Sequence, residues 1–193
     1  MRYATRLVPL WACMLLSMTT PAAEVEALKA GIFNPAREAP DFSLRGSDGA
    51  PLTLSRYRGE VVVLAFGYTS CPNVCPVTLA VLAQAHRKLG AQGSQVQVIY
   101  LTVDPERDSA ERLKQYLAAF DSTFVGGTGT ALQMAAVRKS YGVTAEKVGT
   151  GTDYAVAHSS FVYLITREGK LRALMPFGHK ADDYVHDISI LLN

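Results

Sequence analysis

Between Val61 and Phe66 the chain reads VVVLAF, an unbroken apolar run rich in β-branched side chains and bounded by Gly59 and Gly67. With no polar alternation, such a run suits a strand buried on both faces, in a sheet covered by helices. Val96 to Val103 predicts a second strand. Between the two the period changes. Leu79, Leu82, Ala83 and Leu89 fall at helical spacing and predict a helix over 77–89. Asp108 and Glu111 have the spacing of a capping box opening a helix through Leu113, Tyr116, Leu117 and Phe120. A further helix is expected over Thr130 to Tyr141, closed by Gly142.

Strands at 160–166 and 171–175 flank a turn at 167–170, and a last helix runs from about Ala181 to Leu192. Upstream, Pro40 to Leu44 and Leu52 to Leu54 enclose Gly46, Asp48 and Gly49, the pattern of a hairpin. The order predicts βαβ units followed by a hairpin and a helix: an α/β sheet sandwiched by helices, with an N-terminal hairpin. The stretch VGGTGT at 125–130 lacks the lysine of a phosphate loop and the third glycine of a dinucleotide fingerprint. It is expected as a turn before the helix.

At 193 residues and 49% hydrophobic content, the chain fits one packed domain and not two. The net charge of +2 comes from mixed charges with no basic block, which excludes the electrostatic footprint of a nucleic-acid binder. Arg2 and Arg6 precede an apolar run from Leu7 to Met18 and then Thr20, Pro21, Ala22 and Ala23. This is the form of a signal peptide over 1–23, cut after Ala22 or Ala23, and its core is shorter than the ~20 residues a membrane span needs. Left uncleaved, it would tether the domain. Residues 24–39 read as a linker and 40–193 as the functional domain.

Removal of Cys13 with the leader leaves Cys71 and Cys75, in a compartment outside the cytoplasm that favours disulfides, the periplasm if the source is bacterial. One pair closing so small a loop adds little stability by chain entropy, so chemistry explains it better than stapling. The thiols lie in FGYTSCPNVCPV, between the first strand and its helix. Pro76 suits the first position of that helix, which puts Cys75 at the N-cap. Both sulfurs then lie near the positive end of the helix dipole, where thiol pKa falls. Three residues separate the thiols, where a thioredoxin-type motif has two. That spacing permits a disulfide and suits a metal bite, and both readings stay open.

A soft ion such as Cu(I) takes thiolates, usually with a third donor. Of four histidines, His86 and His186 fall within amphipathic helices and His179 in a loop. His158 immediately precedes the strand at 160–166, so it approaches the cysteine loop if that strand lies beside Val61 to Phe66.

From Pro40 onward the chain resembles the Sco (SenC) family, through FGYTSCPNVCP, the VDPERDS stretch at 103–109, VGGTGT, Tyr141 with Gly142, and DYAVAHSSFVYLI at 153–165. The resemblance implies a thioredoxin-like fold and copper, as Cu(I) or Cu(II), bound by Cys71, Cys75 and His158. It also implies delivery of copper to the binuclear site of cytochrome c oxidase subunit II, or reduction of that subunit's cysteines. Asp104 matches the aspartate of the DPERD stretch and stands either behind the ligands or as a turn residue before Pro105. Asn73 departs from the pattern, which often has an acidic residue there. The alternative from a different class is a thiol-disulfide oxidoreductase with Cys71 as nucleophile and Cys75 as resolving thiol. Against it as a sole role, Ser70 stands where thioredoxins have tryptophan, and His158 where they have proline.

Overall fold

The computed structural model describes residues 27–193. The expected signal segment and Cys13 lie outside the described residues. The chain opens with β1 (Gly31–Glu38), β2 (Ser43–Gly46) and β3 (Pro51–Thr53), followed by β4 (Val61–Gly67) and α1 (Val74–Lys88). Next come β5 (Val96–Thr102), α2 (Ala110–Ala118), β6 (Val125–Thr128) and α3 (Ala131–Tyr141). A small hairpin, β7 (Ala145–Val148) and β8 (Ala155–His158), precedes β9 (Val162–Ile165), β10 (Lys170–Met175) and α4 (Ala181–Leu192).

Eight strands form one mixed sheet in the order β1-β10-β9-β4-β5-β6-β2-β3. The thioredoxin-like α/β architecture expected from the sequence is present. β4, buried at every position, lies at the centre, parallel to β5 and antiparallel to β9. Each fully buried Val, Leu or Phe there contributes roughly 1.5–3 kcal/mol of hydrophobic stabilisation. α1 and α4 pack side by side, and α2 packs on β6.

Several boundaries differ from the sequence reading. Residues 31–38, expected within a linker, pair with β10 as the sheet edge strand. The glycine-rich stretch, expected as a turn, is strand β6 over 125–128. Its glycines are required by packing: a Cβ at Gly126 would stand 2.8 Å from Leu113 Cβ, and one at Gly127 would stand 2.5 Å from a Leu101 methyl. The N-cap of α2 is Ser109, whose hydroxyl accepts from Arg112 N–H, and not Asp108. For α3 the sequence reading holds, with a Thr130–Gln133 capping box and Gly142 at φ 70° closing the helix.

Candidate metal centre

The site forms where β4 ends. Gly67 closes the strand because nothing larger fits: a Cβ there would stand 2.1 Å from Tyr100 Oη and 2.9 Å from Cys75 Sγ. The following turn, Tyr68 to Asn73, is held from outside by Asp108, which is completely buried. Its carboxylate accepts from Thr69 N–H at 3.0 Å, Thr69 Oγ1 at 2.6 Å and Thr102 Oγ1 at 2.7 Å. Arg112 adds contacts to Thr69 Oγ1 at 2.6 Å and Ser70 Oγ at 3.2 Å. A residue that reads as a helix cap is therefore the buried post to which the cysteine loop is tied.

α1 starts three residues earlier than the apolar spacing suggests, at Val74, with Asn73 as N-cap. Pro76 is the third residue of the helix, where its missing N–H is still one that no helical carbonyl would accept from. Cys75 is thus inside the first turn and not the cap. Its N–H donates to Cys71 Sγ at 3.4 Å, so the Cys71 sulfur takes the place of a capping oxygen. Cys71 is half-buried and Cys75 fully buried, both with free thiols.

The expectation that the helix terminus lowers both thiol pKa values fails at Cys75. Burial, reinforced by the Cys71 side chain, pushes that thiol up to about 12, against hydrogen bonds from the Tyr68 main chain and the Tyr100 hydroxyl that favour the thiolate. A helix dipole acts within the first turn, but it does not offset removal of a thiolate from water. In the metal-free protein at pH 8, iodoacetamide is therefore expected to label Cys71 and leave Cys75 unmodified until unfolding. With a pKa near 12, only about one Cys75 in ten thousand is thiolate at that pH. Peptide mapping reads the result, and equal labelling of both thiols would refute it.

His158 is the last residue of β8. Its place follows from the register: Val162 of β9 pairs with Ala65, so the segment before β9 emerges beside the end of β4. His158 Nε2 lies 3.6 Å from Cys75 Sγ. Nδ1 lies 2.9 Å from the Ser159 carbonyl, so Nδ1–H donates there and Nε2 keeps its lone pair toward the sulfur. Burial lowers the His158 pKa below its ordinary value, partly opposed by that carbonyl, which favours the neutral ring that binds metals.

A sulfur and a nitrogen sharing one ion at bond lengths of ~2.3 and ~2.0 Å are separated by about 3.5–3.8 Å. The spacing of Cys75 and His158 lies in this interval. Among the described residues, no three His, Cys, Asp or Glu side chains are gathered as a preformed metal group. Two of the three expected donors already face each other, and Cys71 must turn from the Cys75 amide to join them.

The hairpin bearing His158 is braced by Asp104 together with Tyr68, Arg107 and Tyr154, to which the sequence reading gave no individual role. Tyr68 sets its ring edge-on to His158 at 6.0 Å, and its hydroxyl accepts from Val156 N–H at 3.2 Å. Arg107 stacks on Tyr154 at 3.7 Å and donates to the Tyr154 carbonyl at 2.9 Å. Asp104, 1% exposed, accepts from Arg107 Nε and, at 2.8 Å, from the Tyr154 hydroxyl. Asp104 thus stands behind the hairpin and acts on the site through it. In the sequence, Asp104 and Arg107 were signalled by the DPERD stretch, and Tyr68 and Tyr154 only as members of the two stretches that carry the thiols and His158.

The remaining histidines lie elsewhere. His86 is held between Asp121 at 2.9 Å and the Gly93 carbonyl at 3.1 Å. His179 faces Asp183 at 3.2 Å and His186 faces Asp187 at 2.8 Å.

A thioredoxin-like sheet whose central strand delivers two thiols toward an imidazole defines a dithiol protein of the kind that handles soft metals or exchanges disulfides. The SCO1/SenC family profile matches residues 32–193, and the chain belongs to that family. It is 35% identical over 152 residues to the mitochondrial SCO2 homolog of Mus musculus, covering 77% of this chain and 60% of the mouse protein. Bradyrhizobium japonicum ScoI, solved with copper bound, superposes with a TM-score of 0.75 at 32% identity, over 81% of this chain and all of that one. BsSco, in which a disulfide switch was identified, is a member of the Sco family of cytochrome c oxidase assembly proteins. It superposes with a TM-score of 0.64 at 26% identity, over 80% of this chain and 92% of BsSco.

Proposed function

We propose that this protein is a copper metallochaperone: it holds copper on Cys71, Cys75 and His158 and passes it by ligand exchange to the binuclear site of cytochrome c oxidase subunit II. The observation that carries this reading is the 3.6 Å approach of His158 Nε2 to Cys75 Sγ, with the lone pair aimed at the sulfur. Two sulfurs and one imidazole suit Cu(I) over harder ions. A three-donor site that is only partly assembled also leaves an opening for a partner's ligands. The reading places the protein outside the cytoplasm after removal of 1–23. Among the described residues, no helix is long and apolar enough to cross a membrane.

A second reading is favoured by the contrast between a half-buried Cys71 and a buried Cys75. Here Cys71 thiolate attacks a partner's disulfide and forms a mixed disulfide, releasing one partner thiolate. Cys75 then displaces the second, leaving the partner's dithiol reduced by two electrons and Cys71–Cys75 oxidised.

One experiment separates the two. Copper-loaded and metal-free protein are each mixed with an oxidase subunit II domain whose cysteines are reduced or oxidised. Copper appearing on the reduced domain supports delivery; reduction of the oxidised domain by metal-free protein supports thiol transfer. His158→Ala is expected to weaken Cu(I) binding and to remove the nitrogen scatterer from the copper X-ray absorption spectrum. An unchanged affinity and spectrum would remove His158 from the ligand set.

A further inference from the structure

The proposed site uses the sulfur of Cys75 and leaves unexplained what lies beneath it. Tyr100, on β5, is among the largest fully buried side chains of the domain. A phenol as deeply buried as this one is costly to leave without a hydrogen-bond partner. Its main-chain partner is the Tyr68 carbonyl, at a long 3.4 Å. Tyr100 Oη and Cys75 Sγ crowd the same bare patch of backbone, 2.1 and 2.9 Å from where a Cβ on Gly67 would stand.

We propose that the Tyr100 hydroxyl donates a hydrogen bond to Cys75 Sγ once that sulfur has exchanged its proton for copper, which makes Tyr100 a positioning residue that strengthens and tunes the copper–sulfur bond. The inference rests on the copper reading above. A phenol has one proton and can rotate it. Beside a neutral thiol, a weak acceptor, the Tyr100 O–H stays directed at the Tyr68 carbonyl; beside a thiolate it turns to the sulfur, because charge-assisted hydrogen bonds are about twice as strong as neutral ones. Hydrogen bonds to a ligating cysteine sulfur are a recognised means of tuning a metal site.

Tyr116 supplies the control. Its ring packs against Tyr100 with centroids 6.3 Å apart, and its buried hydroxyl has no hydrogen-bond partner. It shares the phenol chemistry and a buried hydroxyl with Tyr100, although its ring is only partly buried, and it sits one ring further along.

The test compares wild type, Tyr100→Phe and Tyr116→Phe, each checked by thermal melting for an intact fold. Cu(I) affinity is measured by competition with a chromogenic chelator, and the Cu(II) form is examined for its sulfur-to-copper charge-transfer band. Tyr100→Phe is expected to bind Cu(I) roughly tenfold more weakly, the loss of one hydrogen bond to a charged acceptor. Its charge-transfer band should move to lower energy, because an unbonded sulfur gives up an electron more easily. Tyr116→Phe should match wild type in both. Wild-type affinity and band in Tyr100→Phe, or equal changes in both variants, would overturn the proposal. Failure of the wild type to bind copper at all would sink the metallochaperone reading first, and that arm reads it separately.

Discussion

Replacing Cys75 with Ser is expected to abolish tight Cu(I) binding while leaving the fold in place. The sulfur is buried against Tyr100, and a serine hydroxyl fits the same space without offering a soft donor. Loss of a group that merely orients a ligand costs about 10- to 100-fold in metal affinity, so loss of the ligand itself should exceed ~100-fold. The pH dependence gives a second readout. Copper binds the thiolate, and the Cys75 thiol has its pKa pushed up to about 12 by burial, so across neutral pH copper must displace a proton from it. The thiolate fraction, and with it the apparent affinity, therefore rises by about tenfold per pH unit as pH increases toward 12. Cys75→Ser should lose that contribution to the slope together with the tight binding. Chelator competition from pH 6.5 to 8.5 measures both, and a variant with wild-type affinity or slope would exclude Cys75 as a ligand.

The parts of this site legible in the sequence are those whose causes are local. VVVLAF declares a central strand because no surface-facing position interrupts it, and the cysteine segment follows it within a few residues. The β7–β8 hairpin was not legible: its strands are four residues each and largely exposed, so no buried face imprints a pattern. β6 was misread for the opposite reason. Its glycines look like a turn in one dimension, and only the leucines of α2 and β5 across from them explain why side chains are excluded. The direction of the Cys75 pKa shift was illegible in the same sense. Proximity to a helix start can be read from neighbouring prolines, but the burial that dominates at Cys75 depends on how the rest of the domain packs over it.

Asp104, Arg107 and Asp108 show how one short stretch serves two arms of the site. Asp104 and Arg107 turn toward Tyr154 and hold the hairpin that carries His158. Asp108 turns the other way, to Thr69 and the cysteine loop. A single turn after β5 thereby fixes the separation between the imidazole and the thiols.

Asp108→Ala should consequently be among the most damaging substitutions in the domain. It leaves Thr69 N–H, Thr69 Oγ1 and Thr102 Oγ1 without their acceptor at a position closed to solvent. Breaking a buried polar cluster by removing one member costs on the order of 3–5 kcal/mol, whereas the half-exposed Arg112 adds little. Asp108→Asn keeps one carbonyl oxygen and should lose only part of this, about 1–3 kcal/mol, for the donors it cannot serve. Urea denaturation measures both, and native-state hydrogen exchange at the Thr69 amide should speed up in Asp108→Asn before the rest of the sheet opens. A loss below ~1 kcal/mol for Asp108→Ala would show that the Thr69 and Thr102 donors do not depend on the carboxylate. Because Thr69 lies two residues before Cys71, a loosened loop also frees the sulfur from its register with His158. Asp108→Asn should therefore bind copper more weakly even at temperatures where it is fully folded.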